Sequence, residues 1–218
     1  MKTAEQPFYF NTASYVTCVS EIRATTIEQL SAGVKAASDA SIFNHTFQSL
    51  GRYHFLTEGF SNDFAQWVLA SCNRAGLAEE LAGLDIRKYT QIDDLRKDLV
   101  RVFDQYCASN RAYAVQEAFE PFYFCESIEV TVHMGVTAST LQEFRHGLES
   151  LSHAAFQHHF LTSRLRLHEL TNDFSWWFEK QLGLATLARR VNRIDVYTNT
   201  IESAKASMLA LVDKELAS

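Results

Sequence analysis

The sequence reads TNDFSWW at residues 171–177 and SNDFAQW at residues 61–67, so one pattern occurs twice. A second pair of matching stretches lies upstream, where PFYF at residues 7–10 returns at residues 121–124. Matches at a near-constant spacing indicate an internal duplication, which has to be recognised before any fold is assigned. The sequence therefore predicts two tandem repeats of about 100 residues each.

The matching stretches also set the expected domain boundaries. The first repeat is expected at residues 7–109 and the second at residues 121–218, with residues 110–120 as the linker. The chain has 218 residues, which is long enough for each repeat to bury a core of its own. We expect the two repeats to pack on each other with pseudo-twofold symmetry.

The composition favours helices. Of the residues, 47% are hydrophobic, only eight are glycine and only two, Pro7 and Pro121, are proline. Because glycine and proline most often interrupt helices, so few of them favour long helices over a turn-rich β architecture. The predicted fold class is mainly α, built from two tandem helical repeats.

The first segment of each repeat carries conflicting signals. In residues 122–138, apolar side chains alternate as in a half-buried strand. They are Ile128, Val130, Val132, Met134 and Val136. In residues 8–24, the apolar side chains are spaced as on a helix. They are Phe8, Tyr15, Val16, Val19 and Ile22. Since the two repeats should share one structure, we expect either a helix or an extended aromatic segment in both.

Helix starts are marked by side chains that cap backbone N–H groups. Thr26 and Thr140 each precede an apolar stripe with an acidic residue in its first turn, which is typical of an N-cap. Asn62 and Asn172 precede the two aromatic stretches in the same way. The aspartates that follow these asparagines would need a partner to be functional, and the sequence does not locate one.

The order of these motifs resembles a protein family. PFYF comes first, a segment with apolar residues and histidines follows, and then come Asn-Asp-Phe-x-x-Trp and the Leu-Asp and Ile-Asp pairs at residues 84–85 and 194–195. This order is similar to an uncharacterised domain-of-unknown-function family of bacteria and archaea, present here as two tandem copies over almost the whole chain. The resemblance implies a small helical domain and carries no known activity.

Charge and hydropathy argue against two classes of partner. The net charge is −6, and neither repeat has the basic patch that nucleic-acid binding requires. No apolar run approaches the roughly 20 residues of a membrane-spanning helix, and the polar N-terminus does not resemble a signal peptide. We expect a soluble, cytoplasmic protein that binds neither nucleic acid nor membrane. Its four scattered cysteines are expected to be reduced thiols.

Histidine and arginine recur at matching positions of the two repeats. The candidate ligand-binding set consists of His45, Arg52, His54, His159, Arg166 and His168. Guanidinium groups suit carboxylate or phosphate, so repeats that face each other would present this set to one small anion. A second hypothesis is a metal bound by His159 and His168. A third is that the imidazoles fill polar gaps in the packing, and the sequence leaves all three open.

Trp176 is a further candidate for an external contact, because its counterpart in the first repeat is Gln66. The sequence has no nucleophile elbow, phosphate-binding glycine loop or dinucleotide fingerprint, so neither catalytic residues nor a cofactor can be named. It favours a non-catalytic binding, sensory or accessory protein. The alternative is an anion- or metal-binding protein, or an enzyme, built on the His/Arg set. The partners left open are another protein, a small anionic metabolite and a second copy of the chain.

Overall fold

The computed structural model describes residues 2–49, 60, 62–163, 165, 168–195 and 199–217. Within this part of the chain, strand β1 spans Thr3–Ala24 and strand β2 spans Phe122–Thr140. The two strands pair as an antiparallel two-stranded sheet. The long stretches around this sheet are helical.

The helices fall into two series. The first lies between the strands: α1 Ile27–Ala36, α2 Asp39–Phe43, α3 Asp63–Ala70, α4 Ala75–Ala82, α5 Ile92–Ser109 and α6 Arg111–Ala114. The second follows β2: α7 Leu141–Ser150, α8 His153–Gln157, α9 Asp173–Lys180, α10 Ala185–Asn192 and α11 Ile201–Leu216. Two π-helical segments, Asn44–Gln48 and His158–Thr162, continue α2 and α8. A short 3₁₀ helix, Ile86–Lys88, precedes α5.

The chain divides into two compact units. Unit 1 consists of Met1–Ser14 and Glu129–Ser218, and unit 2 consists of Tyr15–Ile128. Both strands therefore contribute to both units. The start of β1 packs in the unit that holds helices α7 to α11, and the start of β2 packs in the unit that holds helices α1 to α6.

In unit 2, Phe124 of β2 packs closely against α1. A Cβ atom built on Gly33 of α1 would lie 2.4 Å from the Phe124 ring, so only glycine leaves room for that ring. Trp67 of α3 donates its indole N–H over 2.8 Å to the carbonyl oxygen of Glu120, two residues before β2 begins. The start of β2 is thus held by both packing and hydrogen bonding.

Unit 1 holds the start of β1 through the same kinds of contact. A Cβ atom on Gly147 of α7 would lie 2.4 Å from the Phe10 ring, which is fully buried. Trp177 of α9 donates its indole N–H to the carbonyl oxygen of Gln6 over 2.9 Å. The aromatic residues that open each strand are therefore core residues of these units.

The predicted fold class, mainly α with two tandem helical repeats packed with pseudo-twofold symmetry, is wrong. Residues 8–24 and 122–138, for which the sequence left a helix or an extended segment open, lie in the two long strands, so the chain mixes α and β structure. The alternation in β2 was the correct signal. The helical spacing in β1 was misleading because it combined buried Phe8 with exposed Val16 and Val19, which lie in different units. The boundaries 7–109, 110–120 and 121–218 stay a prediction.

The predicted helix starts are confirmed. The side chains of Thr26 and Thr140 accept hydrogen bonds from backbone N–H groups at the starts of α1 and α7. Those of Asn62 and Asn172 do the same for α3 and α9. These caps are local, since donor and acceptor lie three residues apart along the chain.

Two further observations bear on the setting of the protein. In the described part of the chain, none of the helices has both the length and the apolar character that a membrane crossing requires. The four cysteines form no disulfide within the described residues, and Cys18 is exposed.

Candidate functional site

His45 joins three elements of unit 2. It lies in the π-helical segment Asn44–Gln48, and only 4% of its surface is exposed. Its Nδ1 atom lies 2.7 Å from Oδ2 of Asp63, the first residue of α3. Its Nε2 atom accepts a hydrogen bond of 2.8 Å from the backbone N–H of Cys125 in β2. One imidazole therefore connects a helix start to a strand.

His159 makes the corresponding contacts in unit 1. It lies in the π-helical segment His158–Thr162 and is 3% exposed. Its Nδ1 atom lies 2.7 Å from Oδ2 of Asp173, the first residue of α9. Its Nε2 atom accepts a hydrogen bond of 2.9 Å from the backbone N–H of Asn11 in β1. Each strand is thus held by a buried histidine that is paired with a largely buried aspartate.

These hydrogen bonds fix the tautomer of each imidazole. A backbone N–H group can only donate, so the Nε2 atom that accepts from it carries no proton. The proton of each neutral ring therefore sits on Nδ1, which donates it to the carboxylate. This is an assignment from hydrogen-bond partners. Both nitrogens of each ring are engaged within the protein.

The hydrogen bonds of His45 and His159 differ from those of a catalytic histidine. A histidine and aspartate pair also occurs in catalytic triads, where Nε2 faces the attacking nucleophile. Here a backbone N–H group occupies that position on both His45 and His159. The rings are surrounded by apolar side chains, with Phe122 4.8 Å from His45 and Phe8 4.9 Å from His159 between ring centroids. The arrangement is suited to holding a strand in place.

The other members of the predicted His/Arg set are placed differently. Arg52, His54 and Arg166 lie outside the described residues. His168 is exposed, and its backbone is left-handed, with a φ of 52°. His45 belongs to unit 2 and His159 to unit 1. The anion site built on this set stays a prediction, as does the external role of Trp176, which is half-buried.

The predicted metal pair gains no support from its surroundings. In the part of the chain that the structure describes, no group of three or more His, Cys, Asp or Glu side chains could hold a metal ion. His158, next to His159, is 2% exposed and lies 3.0 Å from a carboxylate oxygen of Glu129. The imidazole of His158 therefore also has an acidic partner in unit 1.

Sequence reasoning missed the partners of the two buried histidines, Asp63 and Asp173. Both aspartates recur at matching places in the two aromatic stretches, as His45 and His159 recur upstream. Joint recurrence of a histidine and an aspartate was therefore the available signal. This recurrence could not reveal the third partner of each histidine. That partner is a backbone N–H group of a strand, which every residue except proline has.

One surface of β2 is apolar and exposed. Every residue from 128 to 137 is exposed. Val130, Val132, Met134 and Val136 are 50%, 45%, 37% and 39% exposed, and all four belong to unit 1. Alternate residues of a strand lie on one face, which places Val130, Val132 and Met134 together. These three and Val136, which follows Gly135 at a φ of 73°, are here called the β2 face. The apolar alternation that predicted a half-buried strand therefore belongs to side chains that are exposed to solvent in this chain.

Comparison with known proteins gives a family and one solved structure of the same fold. No curated protein matches the chain. The structure of OrfY from Thermoproteus tenax is 28% identical, with a TM-score of 0.85, and the match covers 100% of this chain and 99% of that chain. A model of a family of unknown function, DUF5752, matches residues 5–213 as one span, so the presence of two copies stays a prediction. Because this match covers nearly the whole sequence, the chain belongs to the DUF5752 family, whose function is unknown.

Proposed function

We propose that this protein is a non-catalytic binding protein, that its contact surface is the β2 face, and that a second copy of the chain is its partner. The observation that carries the proposal is the exposure of the β2 face, where four apolar side chains in a row remain 37% to 50% exposed. Contiguous apolar surface of this kind often marks a binding site in soluble proteins.

Burial of this face contributes free energy of the same order as the cost of association. Two-stranded ribbons are marginally stable by themselves and are stabilised when their apolar face is covered. Covering the exposed part of one such side chain contributes about 1 kcal/mol. Two copies bring eight such side chains together, or roughly 8 kcal/mol, which is comparable to the cost of association. We therefore expect a weak dimer that depends on protein concentration.

The uncharged β2 face permits a second copy as the partner despite the net charge of the chain. The chain has a net charge of −6, so two copies repel each other over most surfaces. The β2 face has no charged side chain at its four positions, so two copies can meet there without opposing carboxylates. A twofold dimer brings the same surface from both chains into contact, which a strand face that is apolar throughout its length permits.

The buried histidines support a binding role over a catalytic one. In both His45 and His159 the nitrogen that would face a nucleophile accepts a backbone hydrogen bond instead. A general base must reach the proton that it abstracts, and these nitrogens are occupied and buried. Their geometry is consistent with a framework that positions β1 and β2.

Sedimentation velocity over a range of protein concentrations tests the proposal. We expect the wild-type chain to shift from monomer to dimer as concentration rises, and Val132→Lys to remain monomeric because it places a charge in the β2 face. The matched control is Thr131→Lys, which adds the same charge to the exposed neighbouring residue on the opposite face of the strand.

Two results would count against the proposal. One is a wild-type chain that stays monomeric at every concentration. The other is a dimer that Val132→Lys and Thr131→Lys weaken equally, because the contact would then not depend on the β2 face. Circular dichroism of both variants will test whether the strands and helices are retained.

A further inference from the structure

A surface cavity of about 360 Å³ lies in unit 2, between the end of α3 and the segment that follows α6. Asn73 and Arg74 line one side, and Tyr113, Gln116 and Phe119 line the other. A volume of this size accommodates a small organic molecule. None of these residues belongs to the histidine and aspartate pairs or to the β2 face.

The guanidinium group of Arg74 is held in position by its neighbours. Its Nη1 atom donates to the carbonyl oxygen of Asn73 over 3.0 Å, and its Nη2 atom donates to Oε1 of Gln116 over 2.6 Å. Its central carbon lies 4.3 Å from the centre of the Tyr113 ring, a cation–π contact. A side chain that is already ordered loses less entropy when it binds a ligand.

The charge of Arg74 is not neutralised by an acidic partner. Within the described residues, its guanidinium group forms no ion pair with a carboxylate. The neighbouring Cys72 does not supply a negative charge, because burial raises the pKa of its thiol to about 11, although Arg74 opposes that shift. Guanidinium groups form their strongest hydrogen bonds with carboxylate or phosphate oxygens.

The rest of the lining limits which anion fits. Glu117 also lines the cavity, so its negative charge disfavours a ligand with several negative charges. Tyr113 and Phe119 are 54% and 88% exposed, and their rings offer apolar surface. We infer that this cavity binds a small monocarboxylate that carries an aromatic or apolar group, with Arg74 as the anchor of its carboxylate.

The backbone around the cavity is tied to the rest of unit 2. The N–H group of Phe119 donates to the carbonyl oxygen of Ser71 over 2.8 Å, and that of Ala118 donates to the carbonyl oxygen of Thr25, also over 2.8 Å. The backbone of Phe119 is therefore fixed by hydrogen bonds, although its side chain is exposed. A site that is formed before binding needs little rearrangement when the ligand arrives.

Saturation-transfer NMR and isothermal titration calorimetry with 3-phenylpropionate test this inference on the full chain. The matched probe is 3-phenylpropionamide, which has the same shape without the charge. We expect the carboxylate to bind at least about tenfold more tightly than the amide, since hydrogen bonds to a charged group are the stronger kind. Arg74→Gln should weaken carboxylate binding by a similar factor and remove the difference between the two probes.

Two further variants distinguish binding in this cavity from binding elsewhere on the protein. Phe119→Ala should weaken binding several-fold without affecting folding, because this ring is almost fully exposed. Arg101→Gln is the control, since Arg101 is 54% exposed and paired with Asp98 on α5. Equal binding of the two probes would overturn the inference, as would binding that survives both Arg74→Gln and Phe119→Ala. Val132→Lys should leave binding unchanged, so the two proposals fail or succeed separately.

Discussion

The Nδ1 atom of His159 lies 2.7 Å from Oδ2 of Asp173, and this buried pair holds the backbone N–H of Asn11 on the other side of the ring. The same three groups occur around His45, with Asp63 and the N–H of Cys125. A residue of each long strand is therefore tied to the start of a helix far away in sequence. Loss of either pair should affect stability before it affects any ligand.

His159→Gln should lower the free energy of unfolding by about 2 kcal/mol, because glutamine cannot replace both hydrogen bonds of the imidazole and leaves one of its two partners unsatisfied. Glutamine can donate to Asp173, but it cannot also reproduce the acceptor that faces Asn11. Urea unfolding followed by tryptophan fluorescence measures the difference. His146→Gln is the control, since His146 is exposed on α7 and a surface change of this kind costs less than about 0.5 kcal/mol. Equal losses in the two variants would contradict the role of His159.

Tyr89 and Asp98 should give unit 2 a pH-dependent stability. The Tyr89 hydroxyl donates to Oδ2 of Asp98 over 2.6 Å. Burial, and then this hydrogen bond, raise the pKa of Tyr89, while the same hydrogen bond is the main cause that lowers the pKa of Asp98. The pair therefore stabilises the fold above the ordinary aspartate pKa of about 3.9 and below the ordinary tyrosine pKa of about 10.

The stability difference between wild type and Tyr89→Phe should follow this window. We expect a difference smaller than about 1 kcal/mol at pH 7, because Asp98 is partly exposed. The difference should shrink as the pH falls through the lowered pKa of Asp98, and again as it rises above about 10 towards the raised pKa of Tyr89. Urea unfolding at several pH values measures it. Tyr123→Phe, at an exposed tyrosine, should show no such window.

Cys72 should react slowly with alkylating reagents. Burial raises the pKa of its thiol to about 11, so at pH 8 only about 0.1% of it is the reactive thiolate. We expect its alkylation by iodoacetamide, followed by peptide mass spectrometry, to lag behind that of exposed Cys18. The rate should keep rising up to about pH 10. A rate for Cys72 that levels off near pH 8.5 would contradict the effect of burial.

The features that the sequence predicted are local ones. Thr26 and Asn62 cap their helices through hydrogen bonds to groups three residues away, so the pattern and the contact lie in one short stretch. The buried histidines were identified as recurring positions, but their partners were not. The bond between Asn11 and His159 joins residues separated by 148 positions, and nothing in either neighbourhood specifies it.

The strands were missed for a related reason. The alternation of Val130, Val132 and Met134 predicts a strand, but those side chains are exposed and contribute no core that would confirm the pattern. In β1, Phe8 and Phe10 are buried in unit 1, whereas residues from Tyr15 onwards belong to unit 2. Because the two halves of β1 belong to different units, its apolar residues do not alternate along its whole length. Their spacing therefore resembled that of a helix.

Gly147→Ala should destabilise the protein even though alanine favours helices. The new Cβ atom would lie 2.4 Å from Cε2 of Phe10, and such overpacking costs about 1–3 kcal/mol. This outweighs the gain in helix propensity of about 1 kcal/mol. The control is Gly76→Ala in α4, where nothing lies within 4 Å of the new atom and a gain of about 0.5 kcal/mol is expected. If Phe10→Leu reduces the cost of Gly147→Ala in a double-mutant cycle, the clash with Phe10 is its cause, whereas independent effects would place the strain elsewhere.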